Sequence, residues 1–225
     1  MCYLLTINPK CNMKKICFIL VAAAMFIAAD AKAQLGVGVG YNLLNSTTTL
    51  ADEKEDDSLN GFYVEATYGF NLLNERWGTL GIEPGIRYTF GAEAEQEELL
   101  GVKTRASFTE HYLDIPVHVK YGYEVLPSKL SVHAFAGPVF SVGLASNLKA
   151  TAGDTTVKTN NYKESDYGRF DLKIGLGAGV TIAERVNVKV GYNFGLLNRY
   201  TGEQVEGYKY KSHTGVFYVG AGFNF

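Results

Sequence analysis

The sequence predicts an all-β protein, an eight-stranded antiparallel transmembrane β-barrel of the up-and-down type. Eight segments alternate apolar and polar residues with a period of two, as strands do. The connections between them alternate between long and short, and the chain begins with a pattern typical of an export signal. An even number of strands, with long loops at one end and short turns at the other, is typical of outer-membrane barrels.

The first part of the chain has the features of a secretory signal peptide. Lys14 and Lys15 precede an apolar run at 16–29, and Ala31 and Ala33 place small residues at positions −3 and −1 of a cleavage site. The apolar run is shorter than the ~20 residues that a membrane-spanning helix needs. The pattern therefore favours a cleaved signal over a membrane anchor.

We expect residues 1–33 to be this signal peptide, with the true start at Met13, and residues 34–225 to be an outer-membrane β-barrel domain. All three cysteines lie in the predicted signal, so the mature domain would fold without disulfides. The mature domain has 17 basic residues (21 less four in the signal) and 22 acidic residues (23 less one), a net charge of −5. This excess of acidic residues argues against a nucleic-acid partner.

The last strand shows the alternation clearly. Phe217, Val219, Ala221, Phe223 and Phe225 share one face. An apolar strand at the end of a sheet would leave an open edge, and closing a barrel in lipid removes that edge. We predict strands at 35–41, 62–70, 79–90, 111–123, 130–144, 170–182, 186–195 and 215–225. The long connections, expected to be four extracellular loops, lie at 42–60, 91–105, 146–168 and 197–213.

The glycine content of the polar face decides which face is turned inward. A water-soluble barrel of the lipocalin type, the alternative fold, would expose the face that carries Gly36, Gly38, Gly177 and Gly179. Glycine weakens strands, so a solvated face gains nothing from it, whereas the narrow interior of an eight-stranded barrel needs the space. Tyrosine and phenylalanine near the strand ends of the apolar face are typical of interfacial girdles. We therefore predict that the apolar face contacts lipid.

Polar residues of the inner face form the candidate site. They are Glu65, Glu83, Arg87, Asp114, His118, Lys120, Asp171, Lys173 and Lys189. Simple pairing of the hairpins predicts that Glu83 lies beside Asp114 and that Lys120 lies opposite His133. Because both charge signs are present, we interpret the set as a structural cluster that neutralises its own charges. The alternative is a narrow solute or ion pore.

The sequence gives little support for catalysis. A lipid-face esterase needs a nucleophile and a base that project outward. His111 lies on the outer face, with Glu110 as its best local partner and Ser107 nearby. The spacing of His, Asp and Glu matches no metal site, and the acidic stretch at 52–57 lacks the calcium-loop pattern. We predict no enzymatic activity, no cofactor and no metal, with a lipid-face esterase as an alternative.

Several motifs resemble a known family. They are Tyr-Leu-Asp-Ile-Pro-Val-His-Val-Lys-Tyr at 112–121, Phe-Ala-Gly-Pro at 135–138, Asp-x-x-x-Gly-x-Gly-x-Gly at 171–179 and the terminal Phe225. Together they are similar to the PorT-like outer-membrane β-barrel family of Gram-negative bacteria, over nearly the whole mature chain. The resemblance implies the barrel fold and an outer-membrane location. A few members take part in protein secretion and gliding, and the matching positions are architectural.

These observations predict a small integral outer-membrane protein with a structural or surface-interaction role. We expect a monomer in contact with outer-membrane lipid, whose four loops meet ligands or partners. A different role would be that of a PorT-like accessory of a protein-secretion machine, which would contact envelope or secretion proteins through loops or periplasmic turns. A narrow solute or ion pore and a lipid-face esterase are two further hypotheses for the same barrel.

Overall fold

A computed structural model describes residues 33–50, 53–99, 102–152, 155–164, 166–202 and 210–225. The predicted signal peptide and the predicted start at Met13 lie outside these residues, which begin at Ala33. The elements are β1 (Ala33–Leu50), β2 (Glu53–Glu75), β3 (Gly78–Leu99), β4 (Val102–Leu126), β5 (Leu130–Ala152), β6 (Thr155–Asn160), α1 (Asn161–Glu164), β7 (Phe170–Ile182), β8 (Val186–Gly195) and β9 (Tyr210–Asn224). Among the described residues, no helix is long and apolar enough to cross a membrane.

Eight of these strands close into a ring. Its order is β1-β2-β3-β4-β5-β7-β8-β9, and β9 returns to pair antiparallel with β1. The short strand β6 pairs with the end of β5 and stands outside the ring. Closure gives each strand of the ring a partner on both sides, so backbone donors and acceptors are satisfied without water. The predicted eight-stranded antiparallel up-and-down barrel is confirmed.

The two faces of the strands differ as the alternation predicts. Ile86 and Val119 on the outer face are 59% and 52% exposed, whereas Tyr63 and Tyr218 on the inner face are 1% and 0% exposed. The same holds along β5, where His133 and its inner neighbours are buried and the alternate residues are exposed. The apolar face is therefore turned away from the barrel interior, and the polar face is turned into it.

Three of the four predicted long loops are mostly strand, so these predictions were wrong. Strand β1 extends to Leu50 and β2 begins at Glu53. Strand β3 extends to Leu99, β4 begins at Val102, and β5 extends to Ala152. These extensions are rich in polar residues and carry only scattered apolar ones, so they lack the regular apolar alternation that identified the strands. Polar cross-strand bonds hold them instead, such as that from Thr47 Oγ1 to Asp56 Oδ1 at 2.6 Å.

The strand extensions form two separate sheets at one end of the barrel. Flap A consists of the ends of β9, β1 and β2 (residues 210–216, 44–50 and 53–60), where β1 pairs with β9 as far as Leu50 and Tyr210. Flap B consists of the ends of β3, β4 and β5 with β6 (residues 92–99, 102–110, 145–152 and 155–160). Pairing between β2 and β3 ends at Asn60 and Ala92, so the two flaps part there. We call this end of the barrel the flap end.

Inner-face glycines make room for three large rings in the middle of the barrel. Tyr63, Phe135 and Tyr218 form one buried cluster. A Cβ atom at Gly40 would lie within 3.0 Å of Tyr63, and one at Gly177 would lie within 3.0 Å of Phe135. The glycine-rich inner face is therefore the complement of these rings, as the narrow interior of a small barrel requires.

This packing predicts unequal costs for adding a methyl group at two inner-face glycines. At Gly177 the new Cβ would also meet the backbone oxygen of Val190, whereas at Gly122 no atom lies closer than 3.8 Å. We expect Gly177→Ala to lower the free energy of unfolding by about 1–3 kcal/mol, because overpacking moves the backbone. Gly122→Ala, the matched control, should be neutral or slightly stabilising. Urea unfolding in detergent micelles measures both, and equal effects would contradict this account.

Candidate functional site

A buried ion-pair network lies at mid-height in the barrel. The Arg87 guanidinium donates from Nε and Nη2 to Oε2 of Glu65, at 3.0 and 2.8 Å. The other carboxylate oxygen of Glu65 forms an ion pair with the Lys189 ammonium. The three residues come from β2, β3 and β8, so the network joins opposite walls of the barrel. Two cations on one carboxylate leave it fully paired, which a buried charge requires.

Two tyrosine rings enclose the Arg87 guanidinium. Its Cζ atom lies 4.7 Å from the ring centroid of Tyr63 and 4.1 Å from that of Tyr218. The rings themselves meet edge to face, with their centroids 5.7 Å apart. Guanidinium stacking on tyrosine stabilises a cation that has lost its water. The rings and the ion pairs together fill the barrel at this height.

A second group of predicted site residues lies toward the short turns. Lys120 Nζ is 2.8 Å from Glu83 Oε2, and this pair is less buried than the Arg87 network. His118 and His133 are also buried here, and each has one ring nitrogen without a hydrogen-bond partner among the described residues. A cavity of about 210 Å³ opens at this end, lined in part by Glu83, Lys120 and His133.

The predicted neighbour relation between Glu83 and Asp114 was wrong. Glu83 lies opposite His118, and the strand partner of Asp114 is Arg87. Strands β3 and β4 remain paired as far as Leu99 and Val102. The position of this last pair, at the tip of the hairpin, fixes the register of the two strands. A hairpin that turns at this tip places residue 118, rather than residue 114, opposite Glu83.

The prediction for Lys120 and His133 fails for a related reason. Lys120 lies opposite Phe135, and His133 lies opposite Gly122. The hairpin pairs Leu126 with Leu130 around a turn at 127–129, with one irregularity between Glu124 and Leu126, and this register places residue 135 rather than residue 133 opposite Lys120.

A third group lies toward the flap end. Asp114 accepts hydrogen bonds from Thr89 Oγ1 at 2.6 Å and Ser141 Oγ at 2.5 Å, and its Oδ1 is 3.7 Å from Lys173 Nζ. Asp171 accepts a hydrogen bond from Thr214 Oγ1 at 2.6 Å. Both carboxylates and the ammonium are almost completely buried. Together with the group at mid-height and the group toward the short turns, these residues complete the predicted set. All nine predicted site residues therefore lie inside the barrel, in three layers.

Arg199 is a buried cation that sequence reasoning missed. It lies in the connection after β8, is 1% exposed and donates to the hydroxyls of Tyr112 and Tyr162 at 2.5 and 2.9 Å. It also donates from Nη2 to the backbone oxygen of Gly168 at 2.8 Å, and its Cζ is 4.3 Å from the Tyr167 ring centroid. The hydrogen bond from Arg199 to Tyr112 joins residues that are 87 positions apart, and no local sequence pattern predicts it.

The Arg199 cluster holds the connections against the barrel wall. Tyr112, on β4, donates a hydrogen bond from its own hydroxyl to Glu110. Burial raises the pKa of the Tyr162 and Tyr167 phenols, which lie in the connection between β6 and β7. Both phenols are therefore neutral at ordinary pH, and within the described part of the chain Arg199 contacts neutral oxygens and aromatic rings. The cluster fixes two connections over one side of the flap end.

A cavity of about 450 Å³ lies between flap A and flap B, and we call it the mouth cavity. Its apolar wall contains Leu44 and Leu59 of flap A, Phe108 of flap B, and Val216. The remaining lining includes the carboxylates of Asp57, Glu93, Glu95 and Glu110, with Lys173 at the inner end. The predicted cluster thus meets the mouth cavity through Lys173 alone among its nine members.

The residues considered for an esterase do not assemble into a catalytic pair. His111 Nδ1 lies 2.6 Å from the hydroxyl of Tyr88, its hydrogen-bond partner on the outer face. Glu110, its predicted partner, points inward and accepts hydrogen bonds from Tyr112 and Ser146. Ser107 is four residues along the same strand, roughly 13 Å away at strand rise. Among the described residues, no group of three His, Cys, Asp or Glu side chains could hold a metal ion.

A comparison of the sequence with protein families agrees with the barrel fold. The model of the family described as outer membrane protein beta-barrel domain matches residues 27–200. The chain belongs to this family. It is an outer-membrane protein. Barrels of this membrane typically have long extracellular loops and short periplasmic turns, and the flap end carries the long connections of this chain. No curated protein matches the chain significantly.

Solved structures of outer-membrane barrels are similar to this chain at low sequence identity. Ail, the attachment invasion locus protein of Yersinia pestis, is 13% identical, with 86% of this chain and 99% of that chain covered and a TM-score of 0.47. Neisserial surface protein A is 13% identical, with 84% and 97% covered and a TM-score of 0.41. OprG from Pseudomonas aeruginosa is 14% identical, with 87% and 97% covered and a TM-score of 0.39.

The mid-barrel network predicts a large cost for removing its cation. Arg87→Ala would leave buried Glu65 with half of its ion pairing and would remove the group between two rings. Breaking a buried ion pair from one side typically costs about 3–5 kcal/mol. We expect Arg87→Ala to lower the free energy of unfolding by that amount, measured by urea unfolding in micelles. Lys120→Ala, which breaks the less buried pair, is the control, and a similar loss in both variants would contradict the assignment.

Proposed function

We propose that the protein is a non-conducting outer-membrane barrel that binds ligands or partners at the cell surface through its two flaps. The observation that carries this proposal is the contrast between the two ends of one interior. The middle of the barrel is filled by Arg87, Glu65, Lys189 and two tyrosine rings. Above this layer the strands continue as ordered flaps around an open cavity.

The filled interior favours a binding role over a pore. A conducting path would have to pass the Arg87 guanidinium, which is 3% exposed and packed between aromatic rings. Eight strands leave an interior just wide enough for side chains, so little free cross-section is available. The ordered flaps, by contrast, place polar and apolar groups outside the membrane where soluble molecules meet them.

The proposal extends to the absence of enzymatic activity. His111 forms a hydrogen bond with Tyr88 on the outer face. Glu110 points inward and accepts a hydrogen bond from Tyr112, so its carboxylate is not placed to orient His111. A serine–histidine mechanism needs the two groups within hydrogen-bond reach. This arrangement supports a binding protein rather than a lipid-face esterase.

The PorT-like resemblance supports a narrower assignment within the family. The motif at 112–121 lies on β4 and contains Asp114, His118 and Lys120 of the barrel interior. The glycines at 175, 177 and 179 lie on β7, where they pair with Gly137, Phe135 and His133 of β5. We propose that the chain is of the PorT-like type, on the basis of these architectural positions. A part in protein secretion would then place the partner at the flaps or at the periplasmic turns.

The binding proposal predicts that the purified wild-type protein forms no stable ion channel. In planar lipid bilayers we expect no discrete conductance steps, because the mid-barrel layer blocks the path. Migration of the unheated protein on denaturing gels provides the control that the sample is folded. Reproducible steps that change in size with Arg87→Ala would contradict the proposal and favour the pore.

We also propose that the mature chain begins at Gln34. Mass spectrometry of the protein purified from outer membranes should then give a mass that starts at this residue. Met1→Ile should leave production and mature mass unchanged if Met13 is the true start, whereas Ala33→Arg should block cleavage. Recovery of outer-membrane protein that retains residues 1–33 would contradict this proposal.

A further inference from the structure

The mouth cavity has the volume of a small-molecule site. Its volume of about 450 Å³ falls within the range of ligand pockets in proteins, roughly 300–1,000 Å³. Flap A and flap B form its two sides, and the Arg199 cluster covers the connections beside it. The cavity opens outward, away from the filled layer that contains Arg87.

The apolar wall distinguishes this cavity from a simple water-filled vestibule. Leu44, Leu59 and Val216 are 4%, 6% and 3% exposed, and Phe108 packs against them. They lie on inner-facing positions of β1, β2, β4 and β9, above the charged and aromatic residues of the barrel middle. An apolar surface at the entrance of a polar interior favours a ligand with an apolar body.

The opening of the cavity lies where β2 and β3 stop pairing. Above Asn60 and Ala92, the facing edges carry Asp57 on β2 and Glu93 and Glu95 on β3. Like charges on facing edges oppose strand pairing, which accounts for the separation of the flaps. Among the described residues, no ion pair joins these three carboxylates to a basic side chain.

The charge of the lining selects the sign of the ligand. Four carboxylates and one ammonium line the cavity, so the lining has a net charge of −3. The ammonium belongs to Lys173, which already faces Asp114 at 3.7 Å in the interior. A concave site lined by one sign of charge attracts the opposite sign. An anion would have to pass the three rim carboxylates before it reached Lys173.

We infer that the mouth cavity binds a small cationic amphiphile. Its apolar body would lie on Leu44, Leu59, Phe108 and Val216, and its ammonium or guanidinium group would lie at the rim beside Glu93 and Glu95. The cavity and its apolar wall carry the inference, and the carboxylates decide the charge. This inference rests on the proposed surface-binding function and deepens it by naming a ligand class.

Three probes of nearly equal size test the inference: 2-phenylethylamine, 2-phenylethanol and 3-phenylpropanoate, which are cationic, neutral and anionic at neutral pH. Calorimetry and ligand NMR with the folded protein in lipid nanodiscs measure binding, with empty nanodiscs as the blank. We expect the amine to bind, the alcohol to bind roughly fivefold to tenfold more weakly, and the acid to bind least. Equal binding of all three, or no binding of the amine at millimolar concentration, would overturn the inference.

Matched variants locate the binding site. Glu93→Gln/Glu95→Gln should weaken amine binding roughly fivefold to tenfold and leave alcohol binding unchanged. Glu75→Gln/Glu184→Gln removes the same charge at the periplasmic end and should change neither. Phe108→Ala should weaken the amine and the alcohol alike. Amine binding that survives both the rim variant and Phe108→Ala would overturn the inference, whereas channel activity in bilayers would count against the non-conducting barrel alone.

Discussion

The interior of this barrel depends on one buried guanidinium. Arg87 has lost its water, and it is stable there because Glu65 accepts two of its hydrogen bonds and two tyrosine rings cover its faces. Arg87 and Glu65 are charged, and neither would suit the lipid-facing surface. The strands must therefore present them inward and keep apolar residues outward. This requirement links the charge pattern of the inner face to the orientation of the whole barrel.

The same constraint explains the glycines. A barrel of eight strands has a narrow interior, and the rings that enclose Arg87 need space above the neighbouring strands. Gly40 faces Tyr63, and Gly191 faces the hydroxyl of Tyr218. The cost of glycine in a strand is offset because closure fixes the backbone on both sides. Glycine-rich strands and a buried arginine are thus two consequences of filling one small volume.

The parts of this fold that contact lipid were predictable, and the parts outside it were less so. Alternation identified β9 because each outward residue from Phe217 to Phe225 must be apolar, whereas the polar extension of β3 beyond Gly91 has no such requirement. The membership of the interior cluster followed from parity along each strand. Its pairing did not, because partners such as Arg87 and Glu65 depend on register, which the connections and irregularities in pairing, such as that between Asn71 and Leu73, determine. Arg199 lies in an irregular connection, where parity has no meaning.

The division between the two flaps follows from the same electrostatics that fill the middle. In the interior, each carboxylate of the mid-barrel layer meets a cation, so opposite walls can approach and the space closes. At the extracellular end the facing edges of β2 and β3 carry carboxylates on both sides, and the walls separate. Lys173 stands between these two regimes, paired inward with Asp114 and bordering the mouth cavity on its outer side. Opposite charges thus accompany a filled interior in the middle of the barrel, and like charges accompany an open cavity at the flap end.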